Sequence, residues 1–392
     1  MRAKARSGSS SSPEEPSTPH AAVYVHLPFC PYICPYCDFA KWAWDDARAE
    51  RYLRALRAEI AHAPAVTART LFFGGGTPTT YPPEAIGAIV ADVRARFALQ
   101  GDAEVTTEAN PDPSLAGRMA GLRAAGVNRL SIGVQSFDAR ELKVLGRRHS
   151  ADDVVHAVRA AREAGFANVS LDLIFGVPGQ TEASWTASLD AAIALDVQHL
   201  SCYGLTIEEG TPYATWFARD PSVFADDTHE ARLYAIAIER LRAAGFRHYE
   251  ISNWAKPGFE SVHNRVYWAN DPYLGLGVGA ASYLDGVRSV HTRDFEAYCA
   301  AALAAEPIPG ESERLEGDQR LGEAIMLALR TAEGVDLASF RERYGVDVAA
   351  RFRTTIDEFA AGGLLTASPA HVRLTERGRF VANDVCAAFL PG

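Results

Sequence analysis

The apolar positions of this chain follow two alternating rhythms. Short runs such as Val23-Tyr24-Val25-His26-Leu27 are β-rich, while Tyr52, Leu53, Leu56 and Ile60 share one helical face within Ala47 to Ala61. Further strands are expected at 70–73, 103–107, 129–134, 168–174, 199–205 and 248–252. Helices are expected at 82–97, 114–125, 139–145, 151–164, 182–195 and 228–244. Pro82 favours a first turn, and Gly126 and Gly245 stop two of these helices.

Strand followed by helix, repeated, implies parallel strands joined by helical crossovers. Six or seven such units are countable, short of the eight of a closed barrel. The fold class is therefore α/β: an incomplete (β/α) barrel, open along one side for something large. The last eighty or so residues differ. Helix is expected at 311–331 and 352–361, then Gly362-Gly363-Leu364-Leu365, a strand at 372–375 and a final helix at 376–388. Helices followed by a small β unit suggest a winged-helix-like C-terminal domain. The expected organisation is a disordered leader at 1–20, the barrel at 21–255, a region packed on it at 256–305 and the helical domain at 306–392. The boundary falls near Pro307-Ile308-Pro309-Gly310.

Composition adjusts this picture in few places. A chain of 392 residues can bury one large core and a second small one. A net charge of −10 argues against non-specific nucleic-acid binding and favours a packing or partner role for the winged-helix-like unit. No apolar run reaches the roughly 18–20 residues that span a bilayer, so a cytoplasmic location is expected. The first twenty residues are rich in Ser, Pro and charge, and cannot bury enough surface to offset their ordering entropy. Glu14-Glu15 and the lack of an amphipathic stretch count against a transit peptide.

Six cysteines are present, and three crowd into eight residues: Cys30, Cys34 and Cys37 in Cys30-Pro31-Tyr32-Ile33-Cys34-Pro35-Tyr36-Cys37. Such a cluster reads as a metal site, while Cys202, Cys299 and Cys386 are most simply buried small hydrophobes. Three thiolates at C-x3-C-x2-C spacing can hold three corners of an iron–sulfur cubane and leave one iron open. A structural zinc site would need a fourth ligand, and only His26 or Asp38 is nearby.

At this spacing, with an aromatic before the last cysteine, the segment resembles the radical-SAM superfamily over most of residues 22–300. The resemblance implies a [4Fe–4S] cluster on Cys30, Cys34 and Cys37, with S-adenosylmethionine (SAM) on its open iron. It implies that Gly75, Gly76 and Thr77, within Gly74-Gly75-Gly76-Thr77-Pro78, hold the methionyl amine of SAM. Glu108, Gln135, Arg147 and Asp172, at successive strand ends, and Tyr24, before the loop, resemble the remaining SAM contacts. No residue is assigned a catalytic role.

The motifs together (HLPFCPYICPYCDF, GGGTP, EANP, GVQSF, LGR) resemble the oxygen-independent coproporphyrinogen III oxidase group. That group contains radical-SAM enzymes that decarboxylate coproporphyrinogen III, and heme chaperones of the HemW type. The enzyme carries a further cysteine two positions past the third; Phe39 stands there, as in the chaperones. The enzyme also has a longer ordered segment before the cluster loop. His263-Asn264-Arg265-Val266-Tyr267-Trp268 matches the HNxxYW motif of the HemW type, which implies that His263 contributes to holding heme. Gly275-Leu276-Gly277-Val278-Gly279-Ala280 lacks a preceding nucleotide-binding βα unit and reads as close backbone packing. The resemblance implies heme as cargo and apo-heme proteins as recipients, and leaves room for a homodimer and for peripheral membrane contact. The rival expectation is a coproporphyrinogen III dehydrogenase; a third is a docking module built on the acidic surface and C-terminal unit.

Overall fold

The computed structural model describes residues 18–391. The disordered leader expected at 1–20 therefore lies outside the described residues except for Thr18, Pro19 and His20, and His20 already opens the first strand.

Six strands follow one another in parallel: β1 (His20–Leu27), β2 (Thr67–Gly75), β3 (Glu104–Ala109), β4 (Arg129–Gln135), β5 (Asn168–Phe175) and β6 (His199–Gly204). Helices Asp46–His62, Pro83–Phe97, Ala151–Glu163, Glu182–Ala194 and Asp227–Ala243 lie where the helical spacing predicts them. Their ends are set by local chemistry. Ser150 and Asp153 form a reciprocal capping box, and the Asp45 carboxylate accepts from the Arg48 N–H. The stretch expected as one helix at 114–125 is instead a single 3₁₀ turn followed by the short helix Met119–Ala124.

The expected seventh unit does not form. The run read at 248–252 is β7 (Arg247–Glu250), which pairs antiparallel with β8 (Asn253–Ala255), and β8 pairs antiparallel with β6. A hairpin thus terminates the parallel series. On the other side of β1 the chain adds β9 (Tyr273–Leu276), parallel to β1 with Ala22 opposite Tyr273. Three antiparallel strands follow: β10 (Ala281–Leu284), β11 (Val287–His291) and β12 (Gly310–Arg314). The region expected to pack on the barrel from 256 to 305 therefore supplies strands to the same twelve-stranded sheet. The glycine-rich run there does serve close packing: a Cβ on Gly277 would lie 2.5 Å from the Tyr52 hydroxyl.

The two faces of the parallel strands differ. Leu130, Ile132 and Val134 of β4, with Val169, Leu171 and Leu173 of β5, are buried against the helices. The alternate residues, Arg129, Ser131, Gly133 and Gln135 of β4 and Asp172 and Ile174 of β5, line a cavity inside the curve of the sheet. The barrel is thus open and polar-lined rather than packed with branched side chains.

The expected helix at 311–331 is corrected: Gly310–Arg314 is strand, and the helix spans Gly317–Leu329. The final expected helix is two short ones, Glu376–Arg379 and Ala382–Ala387. Between Leu329 and Glu376 lie helices Leu337–Tyr344 and Arg353–Ala361, and a small antiparallel sheet in which His371–Leu374 pairs Val335–Asp336 on one side and Leu365–Ala367 on the other. This winged-helix-like unit has its own core, including Ile325, Leu329, Ile356 and Val385. It joins the barrel through main chain: the Ile251 N–H donates to the Arg330 carbonyl at 3.1 Å and the Ala332 N–H to that of Tyr249 at 2.9 Å.

Candidate functional site

The cysteine loop leaves β1 at Pro28 and is clamped on both sides. The Gly76 N–H donates to the Leu27 carbonyl at 2.9 Å, and the Thr77 N–H to that of Phe29 at 3.0 Å. A Cβ on Gly76 would meet the Pro28 carbonyl carbon at 2.7 Å, so this approach requires glycine. His26 closes the loop from below. Its Nε2 is 2.7 Å from the Ala40 carbonyl oxygen and its Nδ1 3.1 Å from the Tyr24 hydroxyl. With both nitrogens engaged, His26 is not a free fourth ligand for zinc. Burial pushes its pKa down to about 4, so the ring is neutral.

Cys30 is buried, and Cys34 and Cys37 are partly exposed. Burial pushes the Cys30 thiol up to about 11, against a hydrogen bond with Thr77. Burial raises Cys37 as well. Arg147 sits beside the loop with Nη1 3.6 Å from the Cys34 sulfur. Its Nη2 donates to the Asn110 side-chain oxygen at 2.7 Å and to the Gly133 carbonyl at 2.5 Å, and Asn110 in turn donates to the Thr77 hydroxyl at 3.0 Å. Arg147 therefore ties three strand ends to the cysteine loop. Among the described residues no three His, Cys, Asp or Glu side chains converge on one point as metal ligands do. The thiols share a loop, and Cys34 and Cys37 a cavity mouth, without forming a closed tripod. Their donor set, with a guanidinium at one sulfur, still suits a thiolate-held cluster with an open position.

A cavity of about 390 Å³ opens at Cys34 and Cys37 and runs down into the barrel. Gly75, Gly76, Thr77, Glu108, Gln135, Arg147 and Asp172, all expected from the sequence, line it together. Glu108 accepts from the Gly75 N–H at 3.2 Å. Its pKa rises to about 8, chiefly through burial and then through Asp172, against the Gly75 bond. Burial also raises Asp172, opposed by the hydroxyls of Ser201, Ser131 and Ser170 and by Arg129. Two carboxyls facing one space, one holding its proton near neutrality, form a site that a cationic ligand would ionise. Gln135 ends β4 with φ at +66°, beside a register shift against β5. A left-handed glutamine at a bulge is backbone strain of the kind that re-aims a side chain at a site.

Tyr24 and His263 stand apart from this space. Tyr24 is half-buried, stacked on Phe72 at 6.1 Å, and lies beside the cavity without lining it. His263 is 1% exposed, with Nδ1 2.8 Å from the Thr70 hydroxyl and Nε2 2.8 Å from the Tyr267 hydroxyl. Burial lowers its pKa to about 3, so it is a neutral imidazole with both nitrogens engaged. Its neighbour Asn264 does reach the cavity, closing the barrel floor.

The residues missed from sequence are Asn110 at the mouth and, on the floor and walls, Arg129, Ser131, His199 and Ser201. Their signal was available as strict alternation. Arg129-Leu130-Ser131-Ile132 and His199-Leu200-Ser201-Cys202 place every second residue as polar, in strands whose other face is fully covered.

A loop of three thiols at the mouth of a polar lumen, inside a half-closed parallel barrel, defines a protein of the radical-SAM class. Residues 24–192 match the Radical SAM superfamily and residues 315–381 the HemN C-terminal domain. The fold is shared with coproporphyrinogen III oxidase (HemN) from Escherichia coli, described as a radical SAM enzyme. The TM-score is 0.83 at 23% identity, over 95% of this chain and 90% of that one. Three relatives named heme chaperone HemW are closer in sequence. That of Bacillus subtilis is 36% identical over 94% of this chain and 99% of its own. That of Mycobacterium tuberculosis is 37% identical over 94% of each, and that of Escherichia coli K12 35% over 95% and 98%. The chain belongs to the HemW family.

Proposed function

We propose that this protein is a heme chaperone that binds heme and passes it to apo-heme proteins. The supporting observation is the full-length likeness to relatives of that name, in a chain with Phe39 where the oxidase-type enzyme would carry a further cysteine. Cys30, Cys34 and Cys37 would hold a [4Fe–4S] cluster, and the strand-end residues from Gly75 to Asp172 would hold SAM. When bound, that pair supplies one-electron chemistry at the cavity mouth. The chain's own part is positional. Arg147 fixes the loop and offsets thiolate charge. Glu108 and Asp172 offer a carboxylate pair to a cation, and the proton that Glu108 holds leaves as that cation arrives.

His263 is the proposed heme contact. Its neutral ring is the form that binds iron, and reaching iron requires leaving Thr70 or Tyr267. We place the chaperone in the cytoplasm; among the described residues no helix is long and apolar enough to cross a membrane. Titrating anaerobically reconstituted protein with hemin, wild type against His263→Ala, tests the reading by absorbance. Binding that the substitution weakens supports it. No hemin binding by either protein, with coproporphyrinogen consumed under reducing conditions, overturns it in favour of the dehydrogenase.

A further inference from the structure

The lumen buries one cationic side chain that SAM and cluster leave unused. Arg129 opens the strand that Gln135 ends, so about 20 Å of strand separates it from the cofactor end. Its side chain lines the cavity, yet the residue is only 2% exposed. Its Nε has no hydrogen-bond partner, and none of the ion pairs among the described residues includes it.

The nearby carboxylates are already engaged. Asp172 accepts from Ser131 at 2.9 Å and from Ser170 at 3.3 Å. Glu104 accepts from the N–H groups of Val262 and His263 at 3.2 and 3.0 Å. The imidazoles of His199 and His263 are held neutral, chiefly by burial and then by Arg129 itself. A guanidinium cannot shed its proton, so an unpaired one in the interior is costly until an anion arrives. Its planar fork fits a carboxylate bidentately. Asn264 offers an amide to the same cavity, and Phe72, level with Arg129 across Thr106, supplies apolar wall.

We propose that the floor of the lumen is a carboxylate-binding site centred on Arg129, and that it takes a propionate arm of the porphyrin. The porphyrin assignment rests on the heme reading; the carboxylate site does not. The carboxylate of SAM is the other source of the same chemistry, and it belongs to the opposite end of the strand.

The experiment compares wild type, Arg129→Gln and Arg129→Lys in three arms. In a sodium propionate series against sodium chloride at equal ionic strength, propionate raises the melting temperature of wild type and not of Arg129→Gln. Hemin binds wild type about tenfold or more tighter than its dimethyl ester, a preference that Arg129→Gln abolishes and Arg129→Lys partly keeps. SAM affinity is equal in wild type and Arg129→Gln; a tenfold loss there moves the carboxylate to SAM and overturns the porphyrin assignment. Arg129→Gln itself melts at or above wild type. A steep fall, with no propionate effect on wild type, makes Arg129 a counter-ion of Asp172 and overturns the site. Should neither porphyrin bind, the heme reading fails while the propionate series still decides Arg129.

Discussion

The barrel lumen and the core of the C-terminal unit are both shielded from water, and they are built from opposite materials. Ile325, Leu329, Ile356, Val372 and Val385 fill the C-terminal core with branched side chains, leaving little to do but hold shape. The lumen instead buries Arg129, Ser131, His199 and Ser201. Buried polar groups stabilise a fold only when they are paired, and here several face a cavity. The stability of the barrel comes from the outer face of the same strands. The contrast separates scaffold from site: one region is selected for packing, the other for what enters it.

The largest test strikes the apolar side. Leu329→Ala removes a fully buried side chain and should destabilise the C-terminal unit by about 2–5 kcal/mol in urea denaturation. Ser201→Ala in the lumen should cost about 1 kcal/mol or less, because the cavity already provides space. Comparable losses from both would erase the distinction.

Gly76→Ala sharpens it at the mouth. The added carbon collides with the Pro28 backbone, so reconstituted protein should lose most of its iron–sulfur absorbance while circular dichroism stays near wild type. Retention of the cluster would show that the clamp is not what positions the loop.

The pH response comes next. Glu108 is held well above its ordinary value, to about 8, so the folded protein binds a proton that the unfolded chain releases. Stability contributed by that proton is present at low pH and is lost as pH rises towards about 8, with a slope of at most about 1.4 kcal/mol per pH unit. Glu108→Gln should flatten the stability curve in this window. An unchanged slope would remove Glu108 from the account.

The smallest effect is at the seam between the two regions. Arg343 donates to the Ala269 carbonyl at 2.8 Å and pairs with Asp271 at 3.0 Å. Arg343→Ala should cost about 1 kcal/mol or less, seen as earlier unfolding of the C-terminal unit by hydrogen exchange.

The parts legible in the sequence share a physical cause. Parallel strands covered on one face and helices with one apolar stripe give strong periodic signals, which is why β1 to β6 fall where expected. The strand Gly310–Arg314 gives none: it reads Gly-Glu-Ser-Glu-Arg and is exposed along its whole length. Short antiparallel partners such as Asn253–Ala255 are set by pairing rather than by pattern. At the site, the strand-end residues were found through motifs. Arg129 and His199 were not, because no motif covers them and only the polar–apolar alternation of their strands points to them. His263 stands out by its motif, but its seat against Thr70 and Tyr267, apart from the cavity, is a tertiary fact that no local pattern encodes.

An open sheet has two unsatisfied margins, and this one guards them by different means. At the far margin, β12 presents Glu311, Glu313 and Arg314, charges that discourage another strand from adding. At the near margin, β7 relies on the C-terminal unit, whose Thr331 bridges Glu250 while Ala332 and Arg330 hold Tyr249 and Ile251. The C-terminal unit is therefore also a cap against self-association. A chain cut after Arg314 would expose a ready template for strand addition, and its expected fate is aggregation rather than a smaller working barrel.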